Sequence, residues 1–292
     1  MRLRARPFYT PPDKLSRYMF EVPATSAFVL SFANQEIYRG AAARTLLSSV
    51  DLSAADPIRA QFEDIHDEIT MEILNRKYGV AQCCRKYLDE NPTAQVIHLG
   101  GGLDPLPIDL AESYPKAHFF DVDMANMSLK EEINQKIGGP DVSFLTANLA
   151  DIPSLTEILS NAGWDSDAPT LLVSEGISYY IPKEVYRHTL TSLQTSGGCL
   201  VFEYSVPDHI LVGVPKAEIV FDFFERFTAL LNMPIQMQRY DDPEVRDLAA
   251  GMNGEVVDIL TQHQLEFSRT GRNEMRDDPR MGAIRIALIQ LH

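Results

Sequence analysis

Residues 96–105 read VIHLGGGLDP, a largely apolar run, three consecutive glycines, a carboxylate and a proline. Glycines at the end of a buried strand let the backbone approach a ligand closely, and a helix that follows offers its N-terminus. A dinucleotide loop places a further glycine three residues after the second one of its motif. Counted from Gly100 and Gly102, that place is Pro105. A proline there adds a ring and removes an N–H, which weakens a pyrophosphate cradle. The order Gly-x-Gly-x-Asp therefore points to a nucleoside ligand without a pyrophosphate.

The texture around this loop is regular. AQVIHLG (94–100) is strand-like and LPIDLAESY helical; AHFFDVD (117–123) is strand-like and MANMSLKEEINQKI helical. VSFLTANL, TLLVSEG and CLVFEYS continue the strands, with PSLTEILSNA and PKEVYRHTLTSLQ as helices between them. Five apolar strands alternating with helices predict an α/β fold, a doubly wound parallel sheet covered on both faces. Further on, EVVDILTQHQLEFSRTG gives a helix and a strand, and MGAIRIALIQLH a final alternating strand. Two closing strands joined by a loop predict an antiparallel last strand, which class I methyltransferase sheets typically have and NAD-binding domains typically lack.

Ligands of such sheets sit beyond the carboxyl ends of the strands. Asp121 and Asp123 stand at the end of the second strand, about 20 residues past the glycines, where a carboxylate can take both ribose hydroxyls. The alternative is that one of them caps the helix starting near Met124. Asn148 ends the third strand, either meeting a base edge with its carboxamide or forming a turn before Pro153. Glu175 ends the fourth strand, facing the cleft or capping a helix. Each signal is modest by itself; four successive strand ends carry them together.

Upstream, Ile58, Phe62, Ile65, Ile69 and Ile73 recur at helical spacing from Asp56-Pro57, which suits an N-cap followed by proline. A second helical stretch, Val80 to Leu88, stops before Pro92. The first 50 residues give no continuous pattern, since Pro7, Pro11, Pro12 and Pro23 break them up.

Composition narrows the partners. The chain has 292 residues, 45% of them apolar, with 41 acidic and 26 basic side chains and a net charge of -15. That balance argues against nucleic acid or an anionic membrane as partner, because both reward clustered Lys and Arg. The basic cluster Arg2, Arg4, Arg6, Lys14 and Arg17 reads as a solvated tail or as an arm over an anionic substrate. No stretch approaches the roughly 18 apolar residues of a membrane span, and three cysteines without spacing motifs suggest reduced thiols and a cytoplasmic protein.

VIHLGGGLDP, FFDVDM, TANLADIPSL and LLVSEGISYYIPKE, in this order, resemble the leucine carboxyl methyltransferase family, which includes bacterial O-methyltransferases of polyketide and other natural-product pathways. RKYGVAQCCRKYL resembles the family helix that contributes an arginine to the methionine carboxylate of S-adenosylmethionine. The resemblance is good over residues 70 to 205. It implies one methyltransferase domain, with residues 1–92 as an N-terminal helical cover and 93–292 as the cofactor-binding core. It also implies that Arg76 pairs with the cofactor carboxylate, Gly100 and Gly102 lie against its methionine moiety, and Asp123 holds the ribose, with Asp121 second. Asn148 and Leu149 would border the adenine, and Glu175 the amino-acid end and the acceptor. Pro105 and Leu106 stand where relatives often carry Thr and Arg, and Asn148 where many carry Asp.

The implied reaction is O-methylation of a small-molecule carboxyl or hydroxyl group, leaving S-adenosylhomocysteine. A carboxylate is ionised at pH 7 and needs no base, whereas a hydroxyl group wants one. His98 falls inside the first strand and reads as buried, His118 lies far from the cleft, and His188 reads as surface. His209 is the histidine placed to reach an acceptor. Lacking a His-Asp pair at a strand end, the sequence leans towards a carboxyl acceptor, oriented by Tyr179, Tyr204, Arg17 and Tyr18. The segment 206–234, rich in Phe, Ile, Leu and Val at helical spacing, is either core packing or an apolar lid over the acceptor. An NAD-dependent oxidoreductase and a non-catalytic cofactor-binding partner are the rival readings. No metal is called for, so activity should be insensitive to EDTA, and a homo-oligomer is left open.

Overall fold

The computed structural model describes residues 20–230 and 237–292. Its main sheet has seven strands: β1 (Gln95–Leu99), β2 (His118–Asp123), β3 (Ser143–Thr146), β4 (Thr170–Ser174), β5 (Cys199–Ser205), β6 (Gly254–Leu260) and β7 (Ile284–Leu291). They lie in the order β3-β2-β1-β4-β5-β7-β6. The first five are parallel, and β7 runs antiparallel between β5 and β6. The chain winds outward from β1 in both directions, so β1 and β4 meet at the topological switch point. The loops after these two strands form the crevice.

The helices are α1 (Ala24–Leu30), α2 (Ala41–Ser49), α3 (Asp56–Ala60), α4 (His66–Glu90), α5 (Leu106–Ser113), α6 (Met127–Lys136), α7 (Ile152–Asn161), α8 (Lys183–Ser192), α9 (Ala217–Leu230), α10 (Asp242–Gly251) and α11 (Gln262–Thr270). A two-residue parallel pair, Phe20–Glu21 with Val50–Asp51, brackets α1 and α2.

Alternating side chains of the strands feed two cores, one per face. Val96, Phe119, Leu171, Val173 and Val201 face a cluster that takes in Phe28, Leu46, Ile73, Val80 and Leu88 from α1, α2 and α4. Ile97, Leu99, Val122, Leu172 and Leu200 face the other cluster, with Leu155, Leu190 and Leu248 from α7, α8 and α10. The N-terminal helices thus share a core with one face of the sheet. Arg85 ties them to α5: it donates to the Ile37 carbonyl (2.6 Å) and Asp109 (2.5 Å), and Asp109 also accepts from the Gly40 amide (2.6 Å).

Three elements differ from the sequence-based expectation. The two helical stretches before Pro92 are largely one helix, α4, of 25 residues. Asn75, Arg76 and Lys77 are buried on it, so polar residues interrupt the apolar period where the helix continues. At α3, Asp56 and Pro57 lie inside the first turn and Ala55 is the N-cap. Finally, β6 and β7 are joined through a helix, α11. It starts on a capping box of Thr261 and Gln264 and packs so closely on α4 that a Cβ at Gly79 would stand 2.4 Å from Leu265. Cys83, Cys84 and Cys199 are free thiols and buried. Among the described residues no helix is long and apolar enough to cross a membrane.

Candidate active site

The glycine loop leaves β1 with Gly100 and Gly102 in the left-handed region, at φ +67° and +50°. A Cβ at Gly100 would lie 2.5 Å from Ile177, and one at Gly101 2.2 Å from the His98 ring. A Cβ at Gly102 would find nothing closer than Asp123 Oδ2 at 4.0 Å, so this side of the loop opens onto empty space. Asp123 fixes that opening: its carboxylate accepts from the Gly102 amide (2.9 Å) and the Ala125 amide (2.9 Å). Pro105 opens α5, and Asp104 caps the turn by accepting from the Leu106 amide (2.8 Å). The proline at the third-glycine position thus starts a helix.

A buried cage supports the loop from below. His98 and Asp121 are opposite each other in the β1–β2 register, with Nδ1 3.1 Å from Oδ1. Lys130 of α6, wholly buried, pairs with the other Asp121 oxygen and donates to the Gly102 carbonyl (3.1 Å). Asp121 is therefore a structural anchor under the loop.

The loop after β4 faces the glycines across the crevice, and α4 closes the space from the cover side. Glu68, Glu72 and Arg76 are four residues apart on α4 and form one stripe along the cavity, with Ile69, Ile73 and Lys77 beside it. Glu175 stands 3.2 Å from Arg76 Nε and 3.1 Å from Lys77 Nζ. Lys77 also pairs with Asp104, which accepts from the Tyr38 hydroxyl (2.7 Å). Burial works against the Asp104 carboxylate, but Lys77 beside it holds its pKa well below the usual range. Burial likewise works against the Arg76 charge, and Glu175, Glu203 and Asp104 more than offset it. Nevertheless the Arg76 guanidinium makes no hydrogen bond among the described residues; its buried Nε has the ion pair with Glu175 alone.

The cavity so formed has a volume of about 380 Å³. Arg76, Gly100, Gly102, Asp123, Glu175 and Tyr179 all line it. At its other end stand Phe28 of α1 and Ile219, Val220, Phe223, Phe224 and Phe227 of α9. Lys216 pairs with Glu68 (2.5 Å) and Arg226 with Asp64 (2.9 Å), so α9 is held to the chain around the start of α4. The described part of segment 206–234, residues 206–230, thus supplies both core packing and the apolar wall of the cavity; residues 231–234 lie outside the described residues. Arg276 pairs with Glu68 (2.5 Å) and Glu72 (2.9 Å) and closes one side.

Other candidates lie elsewhere. Asn148 is exposed and accepts from the Ala150 amide (3.0 Å), the turn-forming alternative. Leu149 is buried, with its carbonyl taken by Thr189 Oγ1 (2.7 Å). Tyr204 is buried and donates to Asp242 (2.9 Å), and His209 is exposed on a turn; neither lines the cavity. Arg17 and Tyr18 lie outside the described residues. Among those residues no group of three His, Cys, Asp or Glu is placed to hold a metal ion.

Residues 22–194 match the family profile described as leucine carboxyl methyltransferase. The chain belongs to the leucine carboxyl methyltransferase family. It is 32% identical over 113 residues to leucine carboxyl methyltransferase 1 of Eremothecium gossypii; the match spans 31% of this chain and 34% of that relative, about a third of its length. Two solved structures share the fold. One, from Thermobifida fusca YX and assigned as a methyltransferase, has a TM-score of 0.62 at 16% identity over 96% of this chain and 98% of that one. The other, a DUF574-family protein from Streptomyces avermitilis, has a TM-score of 0.61 at 14% identity over 91% and 97%. The seven-stranded sheet with its antiparallel last strand is the class I methyltransferase arrangement.

The cofactor of this family is S-adenosylmethionine, and the cavity fits it. A buried guanidinium lacking a hydrogen-bond partner suits a carboxylate, and the open side of Gly102 beside Asp123 suits a ribose. Five carboxylates (Glu68, Glu72, Asp104, Asp123, Glu175) against four cations (Arg76, Lys77, Lys216, Arg276) line the space, which suits a sulfonium. The sequence reading missed Lys77, Asp104, Tyr38 and Arg276 as members of this network. Lys77 had a signal, a cation beside Arg76 one position further round the same helix; Arg276 had none, since its partners are some two hundred residues away in sequence.

Proposed function

We propose that this protein is an S-adenosylmethionine-dependent O-methyltransferase whose acceptor is an apolar small molecule bearing a carboxyl group. The observation that carries the reading is the guanidinium of Arg76, ion-paired with Glu175 yet making no hydrogen bond among the described residues, in one cavity with the glycine loop and the aromatic wall of α1 and α9. When bound, the cofactor supplies an electrophilic methyl group on a sulfonium. Arg76 would hold its carboxylate, Asp123 its ribose and the glycine loop its backbone-facing side. The acceptor's body would lie against Phe28, Phe223 and Phe227, whose rings stack or tilt on one another at 5.3 Å (Phe223–Phe227) and 6.1 Å (Phe28–Phe227). These rings and α9 keep water from the reacting oxygen.

The structure does pair His98 with Asp121, which the sequence did not suggest, but a carboxyl acceptor is still favoured over a hydroxyl. Among the described lining residues His98 is the one histidine, and its ring is buried beneath Gly101 of the glycine loop, away from the aromatic wall of α9. A carboxylate acceptor would be ionised already, so the methyl transfer that the bound cofactor would supply asks no residue of this chain to take a proton. The resemblance to bacterial natural-product O-methyltransferases, together with the apolar wall, supports an acceptor from that metabolism.

The test is turnover of matched aryl carboxylic acids and phenols, followed through S-adenosylhomocysteine release. The acids should be methylated at least about tenfold faster, and Phe223→Ala should raise their KM about tenfold with a smaller change in kcat, the value of one aromatic contact. Turnover confined to phenols would overturn the carboxyl assignment.

A further inference from the structure

Glu203 is the one carboxylate in β5, where all seven residues, CLVFEYS, are buried. Its side chain has no exposure, and it does not line the cavity. An ionisable group in such a place costs stability, and an apolar residue of like volume would pack there at least as well. Its contacts all go to one short segment. One carboxylate oxygen accepts from the Gly176 amide (2.6 Å) and the other from the Tyr179 hydroxyl, while its main-chain carbonyl accepts from Ser178 Oγ (2.9 Å). The segment 175–180 is thereby fastened to the strand at a single residue.

That segment forms one wall of the crevice. It contributes Glu175, Ile177, Tyr179 and Tyr180 to the cavity lining. Ile177 interlocks with the glycine loop at Gly100, where even a Cβ would collide with it. Glu175 lies against Arg76 and Lys77. The position of Glu203 therefore sets where Glu175 stands relative to Arg76, and where Ile177 presses on the loop. The Arg76, Glu175 and Lys77 charges and the Tyr179 hydroxyl all face Glu203. Burial pushes its carboxyl up to about 7, while the Arg76 charge and the Gly176 amide pull the other way.

We infer that Glu203 is a positioning residue: through Gly176 and Tyr179 it holds the wall that receives the amino-acid end of the cofactor. This rests on the S-adenosylmethionine reading above. A role in that end alone differs from a role in general folding, because Asp123, which would hold the ribose, stands at the end of β2 and makes no hydrogen bond to segment 175–180 among the described residues.

The test uses calorimetric titration of the full chain with S-adenosylhomocysteine and, separately, adenosine, which lacks the amino-acid end. Glu203→Ala should weaken S-adenosylhomocysteine about 30-fold and adenosine by no more than about threefold, the loss of contacts at one end only. Glu203→Gln keeps an acceptor for the Gly176 amide and should restore affinity to within about fivefold of wild type. Should Glu203→Ala fail to fold, Tyr179→Phe carries the same comparison, with about tenfold selective loss expected. Equal losses for both ligands, or no loss for either, would overturn the positioning role. Failure of the wild-type protein to bind S-adenosylhomocysteine would instead overturn the cofactor reading on which it rests.

Discussion

Arg76→Ala is expected to weaken S-adenosylhomocysteine about 100-fold while leaving the melting temperature close to that of the wild type. The guanidinium lies buried in the cavity wall, near Glu175 but without a hydrogen bond among the described residues. Its deletion removes the ion pair with Glu175 but no internal hydrogen bond, and because Lys77 stays 3.1 Å from Glu175 that carboxylate is not left without a cation, unlike Asp121 without Lys130. What is lost is a charge-assisted, two-pronged contact to a ligand carboxylate, about 3 kcal/mol and hence roughly two decades in affinity. Arg76→Lys should fall between, since an ammonium keeps the charge and loses the planar fork. Calorimetry alongside thermal melts checks both halves. A large drop in melting temperature would mean that Arg76 acts chiefly as a partner for Glu175.

The second large effect concerns the fold. Lys130 and Asp121 are both wholly buried, and they sit with His98 directly under the glycine loop. Lys130→Met leaves the Asp121 carboxylate in the interior with His98 alone. Breaking such a pair from one side costs about 3–5 kcal/mol, or roughly 10 °C in melting temperature for a chain of this size. Asp121→Asn combined with Lys130→Met removes both charges and should recover more than half of that loss. Affinity for S-adenosylhomocysteine should fall in the single variant as well, because the Gly102 carbonyl loses its donor. A melting temperature within about 2 °C of wild type for Lys130→Met would show the cage to be dispensable.

Asp121 also shows where sequence reading stops. Period-two alternation correctly puts Asp121 and Asp123 on one face of β2, but it is silent on depth. Asp123, at the end of the strand, reaches the crevice; Asp121, two residues earlier, meets a lysine from α6 that no local pattern pairs with it. Asn148 illustrates the same ambiguity at a strand end, where a carboxamide serves a turn as readily as a ligand. The alternation of strands and helices, by contrast, is a local signal, and it predicted the five parallel strands and a ligand beyond their carboxyl ends; that β1 and β4 adjoin there is a matter of strand order, which no local pattern carries. Arg76 could be singled out only by its resemblance to a family helix. Hydrophobic periodicity fails there because the inward face of α4 carries Asn75, Arg76 and Lys77. Glu203 gives no signal in a strand of otherwise ordinary composition, since its meaning comes from the segment after β4 that folds over it.

The central claim is that the glycine loop, Asp123 and Arg76 together form a pocket for a nucleoside sulfonium. It is tested most directly by calorimetric titration of wild-type protein and of Asp123→Ala with S-adenosylhomocysteine, with NAD as the comparison ligand. The account predicts micromolar binding of S-adenosylhomocysteine, abolished by Asp123→Ala, and no binding of NAD. Absence of S-adenosylhomocysteine binding, or binding of NAD in its place, would contradict it.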